Sequence, residues 1–242
     1  MTTLNANTIK PAGSTLTLGA SGDTIVANDD VKVNTVKDAG ANTLWVSDGS
    51  GNLSNVNAGL GGAMRWISTT TLSNSTSAII ALDGHFNAFS EFLFKFISIR
   101  PATNAQEFLF QCTTNGSDYN VTMCTTAWRT YHNDANNSEA LTYQAAQDQA
   151  NGSAYQALAH YVGNGADEAF SGYLHLFNPQ STSLTKNYWA RASVTDGSAS
   201  STFMNDWNTT GFFNTTSALT DIQFKMTSGN LAAGKIKMYG IM

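Results

Sequence analysis

Charge is what this sequence has least of. Charged residues make up 12% of its 242 residues, about half of the ~25% usual in soluble domains. Chains that stay unfolded combine low hydrophobicity with high net charge. Here 42% of residues are hydrophobic and 11% aromatic, so that composition is excluded. Solvation must come from neutral Asn, Ser and Thr. Thr favours strands, and Asn and Ser favour turns. The net charge of −5 is spread evenly, with 3 basic and 5 acidic residues up to Gly62 and 9 basic and 12 acidic beyond it. With no basic stripe, no nucleic-acid partner is expected.

Cysteine is scarce too. Cys112 and Cys124 are the only 2. They could face each other across a hairpin, but they are too few for a disulfide-built scaffold, and two reduced, semi-buried thiols are expected. No run of ~18 apolar residues occurs, so no membrane insertion is expected. No apolar stretch follows Met1, so no classical signal peptide is expected.

Catalytic and metal motifs are missing as well. His85, His132, His160 and His175 form no HxH or HExxH pattern. Asp48, Ser50 and Asn52 imitate the start of a calcium loop, but Gly59 stands where the bidentate Glu belongs, so a β-turn is the better reading. No G-x-S-x-G elbow, P-loop or dinucleotide fingerprint occurs. Glu107 with Asp118, or Asp167 with Glu168, are the carboxylate pairs a glycosidase would need, yet sequence does not set their separation. The expectation is no enzyme, no metal and no cofactor.

What is present divides in two. Residues 1–62 are short alternating stretches between turns, such as Thr15–Leu18, Thr24–Val26, Val31–Val33 and Thr43–Val46. Apolar residues among them, such as Leu16, Leu18, Val31, Val33, Leu44 and Val46, are too few to offset the entropy of ordering the backbone. Symmetric copies would supply the missing surface, so a homotrimer with an intertwined β shaft is expected. Residues 63–242 are richer in aromatics. In Phe89–Ile99, Phe92, Phe94 and Phe96 share one face, and Glu91 and Lys95 share the other with Leu93 and Ile97. Glu107–Thr113 is its expected hairpin partner. Val121–Tyr131, Phe170–Phe177, Asn187–Thr195, Ile222–Met226 and the closing Lys235–Ile241 also read as strands. Glu139–Gln149 and Ser153–Val162 hold good helix formers and leave helix and strand both open. The fold class is all-β: the short trimeric shaft, then an antiparallel β-sandwich, jelly-roll-like, over 63–242.

Two groups of phrases are familiar. Leu18–Ile25, Asp38–Asn42 and Asp48–Asn52 resemble the trimeric shaft segments of tailed-bacteriophage fibres. Phe96–Thr103, Gly163–Gly172, Phe177–Pro179 and Gly234–Ile241 resemble a β-sandwich domain recurrent in phage virion proteins. The resemblance implies that Gln156–Val162 is a strand. It implies a virion structural protein made in the bacterial cytoplasm, partnered with itself and, through its N-terminus, with other virion proteins. No dedicated tail-adaptor domain is expected, which leaves a capsid or baseplate anchor open. The expected role is a fibre or appendage that contacts a host surface glycan or protein. A capsid decoration protein is the alternative. A polysaccharide-degrading tail spike is more distant, because such enzymes sit on long parallel β-helices.

Two stretches mix aromatics with amides and read as exposed turns. They give Trp128, Arg129, Tyr131 and His132, and Trp207 and Asn208, as candidate contact residues. The alternative places Trp128 and Trp207 in the sandwich core.

Overall fold

Phe92, Phe94 and Phe96 share one side of their strand, and all three are buried, while Lys95 and Ile97 on the other side are exposed. The same period-2 alternation recurs at 123–128 and 186–194. The computed structural model describes residues 33–37, 40–47, 49–50, 53–54, 63–86, 89–197 and 202–242. No α-helix occurs among them. The chain separates into two units, Met1–Leu60 and Gly61–Met242.

In the first unit, β1 (Thr35–Lys37), β2 (Thr43–Ser47) and β3 (Leu53–Ser54) form an antiparallel sheet in that order. β2 and β3 pair through Val46–Ser54 and Ser47–Leu53. Of the tight turn expected at Asp48–Asn52, Asp48, Gly51 and Asn52 lie outside the described residues. Leu44, Trp45 and Val46 are all half-buried, and Val33 is exposed. Leu16, Leu18 and Val31 lie outside the described residues.

The second unit contains β4 (Met64–Ser75), β5 (Ala78–Ala81), β6 (Glu91–Pro101), β7 (Gln106–Thr113), β8 (Met123–Asn133), β9 (Glu139–Tyr143), β10 (Gln149–Gly152), β11 (Gln156–Val162), β12 (Phe170–Phe177), β13 (Lys186–Asp196), β14 (Phe203–Phe213), β15 (Asp221–Met226) and β16 (Leu231–Ile241). All strand pairings are antiparallel. One layer runs β4-β16-β6-β12-β13-β14-β8, with β9 and β10 on the far edge of β8. The other runs β11-β7-β15-β5. The layers are joined at a single pair, Val162 with Asp196, between β11 and β13. The result is a sandwich nearly closed into a barrel. The helix formers of Glu139–Gln149 lie in β9, the turn after it and the first residue of β10, and Gln156–Val162 is β11. Pairing with β8 and β7 outweighs local propensity there.

Aromatic rings join the layers. Phe108 of β7 lies 5.1 Å from Phe96 and 4.8 Å from Phe170, and Phe224 of β15 lies 5.6 Å from Phe94. Phe110 packs edge-on against Tyr188 and Phe213. A bulge near the end of β6 shifts the register with β12 and β16. Ser98 takes φ 49°, so Ile99, not residue 98, faces the core. Opposite it, Gly234 takes φ 118°, and a Cβ there would sit 2.7 Å from the Ser98 carbonyl oxygen. Cys112 is buried, Cys124 is exposed, and both are free thiols. Burial pushes the Cys112 thiol well above its ordinary pKa.

Candidate functional site

The two stretches expected to be aromatic turns are strand residues: 128–133 belong to β8 and 205–208 to β14. They pair with each other along their whole length. Strand alternation therefore sorts the candidate residues by face. Trp128 and His132 point outward and Asn208 lies beside them, with Trp128 40% exposed. Trp207 points inward and is 0% exposed. As folded, Trp207 cannot touch another molecule, and it is withdrawn as a contact residue. Its Nε1 donates to Thr209 Oγ1 at 2.9 Å, and its indole stacks on His160. Arg129 and Tyr131 also turn inward. Arg129 Nη1 donates to Asn205 Oδ1, and its guanidinium lies over the rings of Tyr131 and Tyr161. His132 Nε2 lies 3.0 Å from Asn136 Oδ1 in the following turn.

The outer face of the larger layer carries a different constellation. Ser171 of β12 pairs with Ser193 of β13, Ser193 with Asp206 of β14, and Asp206 with Thr130 of β8. Four polar side chains from four strands thus form one row across the sheet. The next row runs Tyr173, Arg191, Asn208, Trp128 and Tyr143. Between Tyr173 and Met204 the surface sinks into a groove of about 460 Å³, lined by Thr130, Ser171, Ser193, Arg191 and Asp206.

Arg191 and Asp206 meet in a two-pronged pair. Nε donates to Oδ1 at 2.7 Å, and Nη2 donates to Oδ2 at 2.9 Å. That hydrogen bond, and then the charge of Asp206, raise the Arg191 pKa above its ordinary value. Asn208 Nδ2 also donates to Asp206 Oδ1. The Ser171 hydroxyl oxygen accepts from the backbone N–H of Ser98. Beside the groove the rings hold one another. Tyr173 stands edge-on to Trp189 at 5.3 Å, and His175 lies parallel to Trp189 at 4.7 Å. His175 Nδ1 is paired with the Glu91 carboxylate. Tyr173, Trp189, Arg191, Ser171 and Ser193 were not among the sequence candidates. The alternation of Phe170–Phe177 was the signal for Tyr173, since it places Phe170, Leu174 and Leu176 on the opposite face.

Three of the four carboxylates considered for sugar hydrolysis, Glu107, Asp118 and Glu168, have other partners. Glu168 accepts from the Gly165 backbone N–H at 2.6 Å, and Asp118 accepts from Asn115 Nδ2 at 2.7 Å. Glu107 Oε1 accepts from His160 at 2.7 Å and from Gln147 at 3.3 Å, and Thr227 donates to its other oxygen. These bonds anchor turns and a strand start. Among the described residues no group of three or more His, Cys, Asp or Glu is placed to hold a metal ion. No helix of the described residues is long and apolar enough to cross a membrane.

Compared with protein-family models, with curated proteins and with solved structures, the chain matches none.

Proposed function

We propose that this chain is a non-enzymatic structural protein of a phage virion: a homotrimeric fibre or appendage whose β-sandwich contacts the host cell surface. The observation that carries the contact role is the outer face of β12, β13, β14 and β8. It presents half-exposed aromatic rings and a polar groove on long, fully paired strands. A rigid sheet holds such groups in fixed geometry at little entropic cost on binding. The charged groups of the groove neutralise each other, which suits recognition better than proton transfer. The shaft-like phrases of the first 62 residues support the virion setting. The half-buried Leu44, Trp45 and Val46 support the trimer, since further copies would cover what one chain leaves in water. Three sites on one axis raise avidity by roughly 10²–10⁴ when receptor spacing matches.

Adsorption tests the reading. Purified protein added in excess to host cells should slow attachment of the phage that carries it. Unchanged attachment would count against a host-contacting fibre. If particles lacking the chain adsorb normally but lose capsid stability, the chain is a capsid decoration protein instead.

A further inference from the structure

We propose that the groove between Tyr173 and Met204 binds a neutral saccharide, with a pyranose ring against the Tyr173 side and its vicinal hydroxyls bonded to the Arg191–Asp206 pair. This rests on the reading of the outer face as a contact surface and names what that surface takes.

The groove's chemistry is amphiphilic in a particular order. Its walls are apolar, a tyrosine ring on one side and the exposed Met204 on the other. Its floor is the row of Ser171, Ser193, Asp206 and Thr130. A pyranose has the matching order, with apolar C–H faces and a hydroxyl rim. The Arg191–Asp206 pair is a flat array of donors beside acceptors. Arg191 uses two of its N–H groups on Asp206, and its side chain is 56% exposed. A hydroxyl both donates and accepts. Two adjacent hydroxyls can therefore give a proton to the carboxylate and take one from the guanidinium. The Ser171 oxygen already accepts from Ser98, which leaves its own proton for a ligand oxygen. Four strands at the usual spacing make the row about 14 Å long, room for more than one sugar unit.

Other occupants fit less well. A phosphate or nucleic acid needs net positive charge, and Arg191 is already neutralised by Asp206. A lipid chain would bury the ion pair and the hydroxyls without partners. An added peptide strand needs a free backbone edge, and this groove lies on a sheet face whose backbone groups are paired. Tyr173, Trp189 and His175 brace one another, so the wall is formed before a ligand arrives.

The test uses the full-length protein on an array of neutral and charged bacterial surface oligosaccharides. The best binder is then titrated in solution, reading tryptophan fluorescence beside the groove. The variants are S193W, which fills the groove from an exposed position, D206A, which removes the acceptor, and W66A, on β4 at the far edge of the same face. The expected result is retention of a neutral oligosaccharide. Binding should be abolished in S193W, weakened about 10- to 100-fold in D206A and unchanged in W66A, with thermal melting preserved in all. Should S193W melt early, S171A and D206A carry the comparison, since each trims a side chain on the outer surface. Retention of no saccharide, retention of charged ones only with loss in salt, or equal binding by S193W and D206A would each overturn the proposal. If the protein still competes for adsorption in any of those cases, the fibre reading stands and the groove alone falls. If competition is abolished by protease treatment of the cells and unaffected by periodate, the occupant is a protein and the saccharide is overturned.

Discussion

His160 Nε2 and Glu107 Oε1 lie 2.7 Å apart where β11 meets β7, with the imidazole stacked on the indole of Trp207 on its other side. The hydrogen bond from His160 is the main cause that holds the Glu107 pKa below its ordinary value of 4.5, and it outweighs the opposing push of burial. The native carboxyl is thus more acidic than the unfolded one. Its contribution to stability is fully present above about pH 4.5 and is lost as pH falls through the lowered native value. Glu107→Gln should cost about 1–3 kcal/mol at neutral pH. It should also flatten the fall in melting temperature below pH 4.5. Melting curves of both proteins between neutral pH and pH 3 check this, with a parallel fall as the contrary result.

Trp207 and Trp128 occupy opposite faces of neighbouring strands. Trp207→Ala should destabilise the sandwich by about 3–5 kcal/mol, because it empties a fully buried site and strips the ring from His160. Trp128→Ala should change stability by about 0.5 kcal/mol or less. Urea unfolding of the two variants separates them. Comparable losses would contradict the face assignment.

Strand positions are legible in the sequence, but pairing is not: Glu107–Thr113, expected as the hairpin partner of Phe89–Ile99, pairs with β11 and β15, while β6 pairs with β12 and β16. The faces of β6 as far as Ile97, of β12, and of β16 from Lys235 onward follow from alternation, because their inner positions are apolar and Lys95, Lys235 and Lys237 mark the outer side. The bulge at Ser98 is not marked by it. β14 escapes the same reading. Its inner positions include Asn205 and Thr209, polar groups that the interior accepts because Asn205 Nδ2 donates to Asp196 and Thr209 Oγ1 donates to the Ala157 carbonyl. With polar residues on both faces, Trp207 has no apolar neighbours in sequence to mark it as core. The groove is hidden for another reason. Thr130, Ser171, Ser193 and Asp206 come from four strands, and only strand order brings them into one row. No local spacing encodes that order.

Gly234 is a position where backbone geometry leaves little choice. Gly234→Val meets a φ of 118° and a Cβ position 2.7 Å from the Ser98 oxygen. A loss of about 1–3 kcal/mol is expected. A valine that melts like the wild type would show that the bulge at Ser98 relaxes without cost.

Oligomeric state is open to sedimentation. The expected species is a homotrimer, and a double change of Leu44 and Val46 to Asp should dissociate it, since charge at those half-buried positions opposes burial against a second copy. A folded wild-type monomer, stable at micromolar concentration, would remove the shaft from the account.

The most direct measurement is to locate the chain on the particle. Phage purified from lysates that produce it would be labelled with gold-tagged antibody to residues 63–242 and imaged by electron microscopy. Gold at the outer ends of fibres or appendages is the expected result. Gold spread over the capsid shell would move the chain to decoration, and particles bearing no gold at all would contradict a virion role.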